Sequence, residues 1–205
     1  MKSYSDTQTH IREAAKKEFH EKGFKEASLR SIAKNANVTT GALYGYYKSK
    51  EALFEDLVKE AADGLMVWYF KIHQAYMEKT AQEQKENMAE ISDTYVPVMI
   101  AYIYQHLDAF RLILCCSAGT KYEQYLDRLI KIEEESCWEF LDALEKTGYK
   151  RPVELDDILI HIMSSAYFQA IYEMVAHNVP EDKAQAYMKA LSKFQYAGWF
   201  GMLEL

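Results

Sequence analysis

The 205-residue chain reads as an all-α protein, on three observations. Apolar residues recur at the three-to-four spacing of a helix face, and the long C-terminal part shows no strand-like alternation. Three prolines are all that interrupt it. Capping residues and glycine divide the N-terminal part into short segments, so that about nine helices are expected in total. Two domains follow: a three-helix helix–turn–helix head over residues 1–49, and a larger helical body over 50–205, long enough to bury its own core.

Ile11, Ala14, Ala15 and Phe19 mark one face of the first helix, with Lys and Glu opposite, and Gly23 fits its stop. The Ser28 hydroxyl is expected to cap the second helix, whose apolar stripe is Leu29, Ile32, Ala33 and Ala36. Asn37 tolerates a left-handed turn, and Thr39 caps the third helix. Leu43 and Tyr47 face inward, and Ser49 caps a fourth helix that begins Lys50-Glu51-Ala52-Leu53-Phe54.

Ordinary bundle helices share this periodicity, and charge separates the two readings. Residues 1–50 hold ten Lys or Arg against five Asp or Glu, a net of +5; residues 51–205 carry −12. A basic head on an acidic body is the asymmetry expected when one end meets a polyanion. The third helix fits such a partner. The run from Val38 to Lys50 carries small, hydroxyl and aromatic side chains and closes on Lys48 and Lys50. Such a helix can enter the major groove of double-stranded DNA, touching base edges while its flanks hold phosphates.

Ile11 to Leu53, about a fifth of the chain, resembles the DNA-binding region of the TetR family of bacterial transcriptional repressors. The likeness rests on Gly23-Phe24, Leu29-Arg30-Ser31-Ile32-Ala33, the run from Val38 to Tyr44, and the run from Tyr47 to Leu53. Ala27 stands where the family usually has Thr, Asn37 where it usually has Gly, and Gly45 replaces a bulkier residue. The resemblance implies that Arg30 reaches a base edge, a pair worth roughly 1–3 kcal/mol of discrimination. Thr40, Gly41, Ala42 and Tyr44 then form the base-facing side of the recognition helix, and Ser28, Thr39, Tyr46 and Lys50 contact phosphates. Gly41 and Gly45 cost an isolated helix roughly 1 kcal/mol each. At Gly41 the expected return is close approach of the backbone to DNA.

Six helices are expected in the body, at roughly 50–75, 82–107, 109–117, 121–147, 154–177 and 181–203. The first has Phe54, Leu57, Val58, Ala61, Leu65, Trp68 and Ile72 on one face. In the second, Met88, Ile91, Tyr95, Met99, Tyr102 and His106 share a stripe, with Pro97 in its midst, and the lost amide leaves the Asp93 carbonyl unpaired and bends the helix. Sixteen Tyr and nine Met suit an adaptable pocket for an aromatic or amphipathic compound, and equally a plain helical core. The family resemblance implies an effector pocket, placed here at Trp68, Tyr95, Met99, Tyr102, Phe110 and His161.

From Ile158 to Tyr172 there is no Lys, Arg, Asp or Glu, and the final helix is also broadly apolar. Two such helices suit a two-fold interface of four helices, an arrangement the resemblance also implies, with Met163, Ala166, Tyr167, Ala170, Leu191 and Phe194 at the contact. A homodimer built this way presents two heads about one DNA turn apart, roughly 34–36 Å, to a palindromic operator.

Cys115, Cys116 and Cys137 have neither even number nor CxxC spacing, so neither disulfide framework nor metal site is indicated, and a free, buried thiol is the commoner state. The run Glu133-Glu134-Glu135 reads as a solvated helix face. No phosphate loop, nucleophile motif or cofactor motif occurs, which sets aside an enzyme. The apolar runs read as too short to cross a membrane, and no secretory signal precedes the first helix, so a cytoplasmic location is expected. The reading is a ligand-responsive repressor released from DNA by its effector. The alternative is an architectural or partner-regulated DNA-binding protein with no small-molecule effector.

Overall fold

A computed structural model describes residues 4–150 and 155–204, with the side chains of 4–5 and 88–92 outside the description. Helices are the regular elements among the described residues: α1 (Tyr4–Glu26), α2 (Leu29–Asn35), α3 (Thr40–Tyr46), α4 (Lys50–Met77), α5 (Ala81–Gln105), α6 (Leu107–Cys115), α7 (Tyr125–Glu145), α8 (Asp157–Ala176) and α9 (Glu181–Leu203). These match the spans expected from periodicity to within a turn or so. The expected start at residue 154 and the side chains of Met88 and Ile91 lie outside the described residues.

The chain divides into two compact units, Met1–Gly64 with His106–Tyr125, and Leu65–Gln105 with Leu126–Leu205. The first therefore holds α6 as well as α1–α3, and α4 contributes residues to both.

In the first unit, Ile11, Ala15 and Phe19 of α1 are fully buried, as their spacing predicts. Phe19, Phe24 and Phe54 meet ring to ring, with centroids 5.1–5.9 Å apart. Gly23 breaks α1 at φ 71°, ψ 167°, a backbone that a side chain would strain. The Phe24 amide just beyond the break donates to Cys116 O at 2.8 Å, at the end of α6.

The turn between α2 and α3 is set by Asn37, at φ 56°. Its N–H donates to Lys34 O at 3.1 Å, and that of Val38 to Ala33 O at 2.9 Å, the paired bonds of a left-handed helix stop. Glycine is the usual residue at this position because the conformation is left-handed; Asn adopts it at modest cost. Thr39 Oγ1 and Ser49 Oγ accept the amides of Ala42 and Ala52, each at 3.1 Å, as their capping positions predict. Ser28 departs from expectation. It occupies the cap position of α2, but its hydroxyl caps nothing. The buried Glu18 carboxylate, reaching over from α1, takes the Ser28 amide instead.

In the second unit α5 packs along α9. Gln185 Nε2 donates to Pro97 O at 2.9 Å, and Tyr104 Oη to Val179 O at 2.7 Å. Asp156 caps α8 through the Leu159 amide at 2.8 Å. By length and composition the 20 residues of α8 suffice to cross a membrane, contrary to the expectation that the apolar runs are too short. A third of that stretch is buried within the protein, and a core helix has the same all-round apolar character.

Candidate DNA-binding surface and ligand cavity

The second helix of the helix–turn–helix, α3, is anchored by Leu43, which is fully buried, and followed by Tyr47, also buried. Both are inward-facing, as the apolar pattern requires. The opposite side is open: Gly41, Ala42 and Gly45 are exposed, and Tyr44 is 51 % exposed. Arg30 on α2 is exposed, while Ser28, Thr40 and Tyr46 are half-buried. A Cβ at Gly41 would approach only Thr39 Oγ1, at 3.9 Å, and at Gly45 would meet nothing within 4 Å. Internal packing therefore asks for neither glycine.

Two of the residues assigned to phosphate have internal duties. Thr39 Oγ1 is the α3 cap. Lys50 Nζ donates to Lys25 O and Ala27 O, both at 3.0 Å, and lies 4.6 Å from the centre of the Phe24 ring. Its ammonium thus closes the end of α1, where carbonyls left without amide partners attract a cation.

A cavity of about 210 Å³ opens in the second unit, walled by α4, α5, α7, α8 and α9. Of the residues expected there, Trp68, Tyr95 and Met99 line it. Tyr102, Phe110 and His161 do not. Phe110 is buried in the first unit, its ring 6.2 Å from that of Tyr125. His161 is exposed and pairs through Nδ1 with Glu134 Oε1 at 2.6 Å. Met163 and Tyr167, expected at a subunit contact, line the cavity. Ala166 is exposed, Ala170 and Leu191 are half-buried, and Phe194 is 73 % exposed. Ile158 and Ile162 are exposed on α8 and Tyr187 on α9.

A polar cluster on the cavity wall escaped the sequence reading. Tyr69 Oη donates to Glu133 Oε2 at 2.7 Å. His73 lies with Nε2 3.3 Å from the same oxygen and Nδ1 2.7 Å from Ser136 Oγ. The acidic run is accordingly no uniform solvated face. Glu133 faces the cavity, Glu134 holds His161, and Glu135 is exposed. The signal that could have found the cluster is the spacing of Tyr69 and His73, one turn apart on the apolar face of α4. Burial, with Glu133 adding to it, pushes the Tyr69 phenol well above its ordinary range, so it stays a neutral donor. The Cys137 thiol on the same wall is pushed well up by burial and by the nearby carboxylates.

An exposed recognition-type helix on a basic head, joined by α4 to a helical unit with an apolar cavity, defines a helix–turn–helix DNA-binding protein. Residues 11–57 match the family described as bacterial regulatory proteins, tetR family. The chain is 40 % identical over 52 residues to the HTH-type transcriptional regulator UidR of Escherichia coli, 25 % of this chain and 26 % of that one. Over 107 residues it is 25 % identical to the uncharacterized HTH-type transcriptional regulator YfiR of Bacillus subtilis, covering 47 % of this chain and 49 % of that one. The chain thus spans half or less of the length of these two relatives. In fold it is similar to SCO3833 of Streptomyces coelicolor A3, a member of the TetR transcriptional regulator family, at 18 % identity and a TM-score of 0.57, covering 92 % of this chain and 90 % of that one. Residues 11–57 thus carry the DNA-binding region of tetR-family bacterial regulatory proteins, and the fold of the chain is similar to that of a TetR-family regulator.

Proposed function

We propose that the chain is a ligand-responsive repressor that binds a palindromic operator as a homodimer and is released when a small molecule fills the cavity. The observation that carries this reading is the extent of α4. At its first residue, Lys50 is tied to the end of α1 beside the recognition helix. Eighteen to twenty-six residues later the same helix gives Trp68, Tyr69, Ile72, His73 and Tyr76 to the cavity wall. A ligand that prefers one position of α4 therefore acts on a helix that the head also holds, and shifts the population able to bind DNA. A coupling of roughly 1–3 kcal/mol is typical.

On DNA, Arg30 and the open side of α3 read base edges in this scheme, with Ser28, Thr39, Tyr46 and Lys50 near phosphates. The exposed apolar side chains on α8 and α9 support a two-fold contact between copies, with Ile158, Ile162, Ala166 and Phe194 as its centre. The place of action is the cytoplasm, where bacterial DNA is. The test is fluorescence anisotropy of a labelled operator duplex, selected from a random pool, titrated with and without a compound that quenches cavity tryptophan emission. The proposal requires the compound to weaken DNA binding fivefold or more; equal affinities would refute it.

A further inference from the structure

We propose that the cavity of the second unit takes a compact lipophilic organic cation, an aromatic quaternary or tertiary ammonium, with Glu133 as its counter-charge and the surrounding rings as its bed. This rests on the reading of the cavity as an effector site and names the chemistry of the effector. Charge is the first observation. Among the described residues the wall includes one carboxylate, Glu133, and no Lys or Arg. Glu133 keeps 37 % of its side chain exposed, so a ligand can reach it. Its two protein partners, Tyr69 Oη and His73 Nε2, both approach Oε2, and Oε1 takes no hydrogen bond from a described residue. The two ring nitrogens of His73 thus bridge Glu133 and Ser136, Nε2 on the carboxylate side and Nδ1 on the hydroxyl side.

The second observation is the ring content. Trp68, Tyr76, Tyr95, Tyr196, Trp199 and Phe200 all line the space. The faces of such rings carry the negative part of the quadrupole and attract a cation, most strongly when it has left water. The same wall disfavours an anion, which would bring a second negative charge against Glu133 with no Lys or Arg among the described wall residues to meet it. A neutral compound gains the apolar contact but nothing from the carboxylate. The volume, about 210 Å³, lies below the roughly 300–1,000 Å³ of sites for drug-sized ligands, hence a compact ligand.

Two probes of one shape decide the matter: phenyltrimethylammonium and its uncharged isostere tert-butylbenzene, followed by the fluorescence of the full-length protein, whose Trp68 and Trp199 face the cavity. The proposal expects the cation to bind at least tenfold more tightly than the isostere. Glu133→Gln should cut the preference at least fivefold, to what the rings alone supply, and Glu133→Asp keep it. Equal or tighter binding of the isostere, or a preference undiminished by Glu133→Gln, overturns the cation site and leaves the effector reading standing. The comparison on the unaltered protein needs no variant, so misfolding of one cannot shelter the claim. If neither probe binds, the cavity is no ligand site and both readings fall. If the cation binds by this pattern and DNA affinity does not change, the effector reading falls and the cation site stands.

Discussion

Glu18 Oε1 accepts the backbone N–H of Ser28 at 3.2 Å, so the second helix of the DNA-binding head is capped from the first helix. Its other oxygen takes Ser31 Oγ–H at 2.7 Å, and Lys22 Nζ lies 2.7 Å from Oε1. The residue is 3 % exposed, so the carboxylate is buried and fully engaged. It fixes the start of α2, the helix that carries Arg30.

Glu18→Ala should destabilise the head by about 1–3 kcal/mol, because a half-buried amide and hydroxyl lose their acceptor. Urea unfolding of the variant, followed by helical circular dichroism, measures this. A loss under about 0.5 kcal/mol would mean that Ser28 recaps the helix by itself.

The same residue sets an acid limit. Burial alone would push its carboxyl up, but the donors Lys22, Ser31 and Ser28 together hold it below the ordinary glutamate value. A depressed folded value contributes stability above the unfolded value of about 4.3, and that contribution is lost as pH falls through the folded value. Glu18→Gln should therefore narrow the stability difference from the parent protein as pH drops below about 4. Thermal melts from pH 3 to pH 7 would show it; parallel curves would contradict it.

Arg30 and Lys50 should differ in kind. Arg30 is exposed, so Arg30→Ala should leave stability within about 0.5 kcal/mol and relax base preference by roughly 1–3 kcal/mol. Lys50 holds two carbonyls, so Lys50→Ala should lower the melting temperature and weaken all duplexes alike. Anisotropy on matched and mismatched duplexes at several salt concentrations, read beside melting curves, separates the two. Indistinguishable profiles would defeat the assignment.

Nothing inside the protein opposes a side chain at Gly41. Gly41→Ala should raise stability by about 0.5–1 kcal/mol, because alanine loses less entropy in a helix. If that helix meets DNA closely, the same change should weaken duplex binding. Unchanged affinity in the stabilised variant would move the DNA contact away from this turn.

The Cys116 thiol should be slow. Burial pushes Cys116 up to about 11, with Cys115 adding to it, and raises Cys115 as well, against the nearby Arg111. Since the thiolate is the nucleophile, alkylation of the buried Cys116 in the folded protein at neutral pH should run at least about tenfold slower than after unfolding. Rapid modification of Cys116 in the folded protein would contradict it.

Much of the head was legible in the sequence because each of its devices is local. Asn37, Thr39 and Ser49 act within three residues of themselves, and the burial of Ile11, Phe19 and Leu43 follows from spacing. The Ser28 cap was misread because its acceptor lies ten residues back on another helix, which no local rule reports. The cavity was legible only where one helix face declares it, at Trp68, Tyr95 and Met99. Glu133 looked solvated in sequence because its partners, Tyr69 and His73, lie sixty or more residues away. That Met163 and Tyr167 line the cavity was hidden for a similar reason. A helix apolar all round announces that it is covered, but not which side faces a cavity.

The central claim is that α3 reads DNA with Arg30 beside it. Its most direct test is selection of bound duplexes from a random pool by the purified full-length protein, with Arg30→Ala in parallel. The account predicts enrichment of a two-fold symmetric site by the parent chain and a blurred half-site with the variant. A pool that emerges without any enriched sequence, or the same site from both proteins, would contradict it.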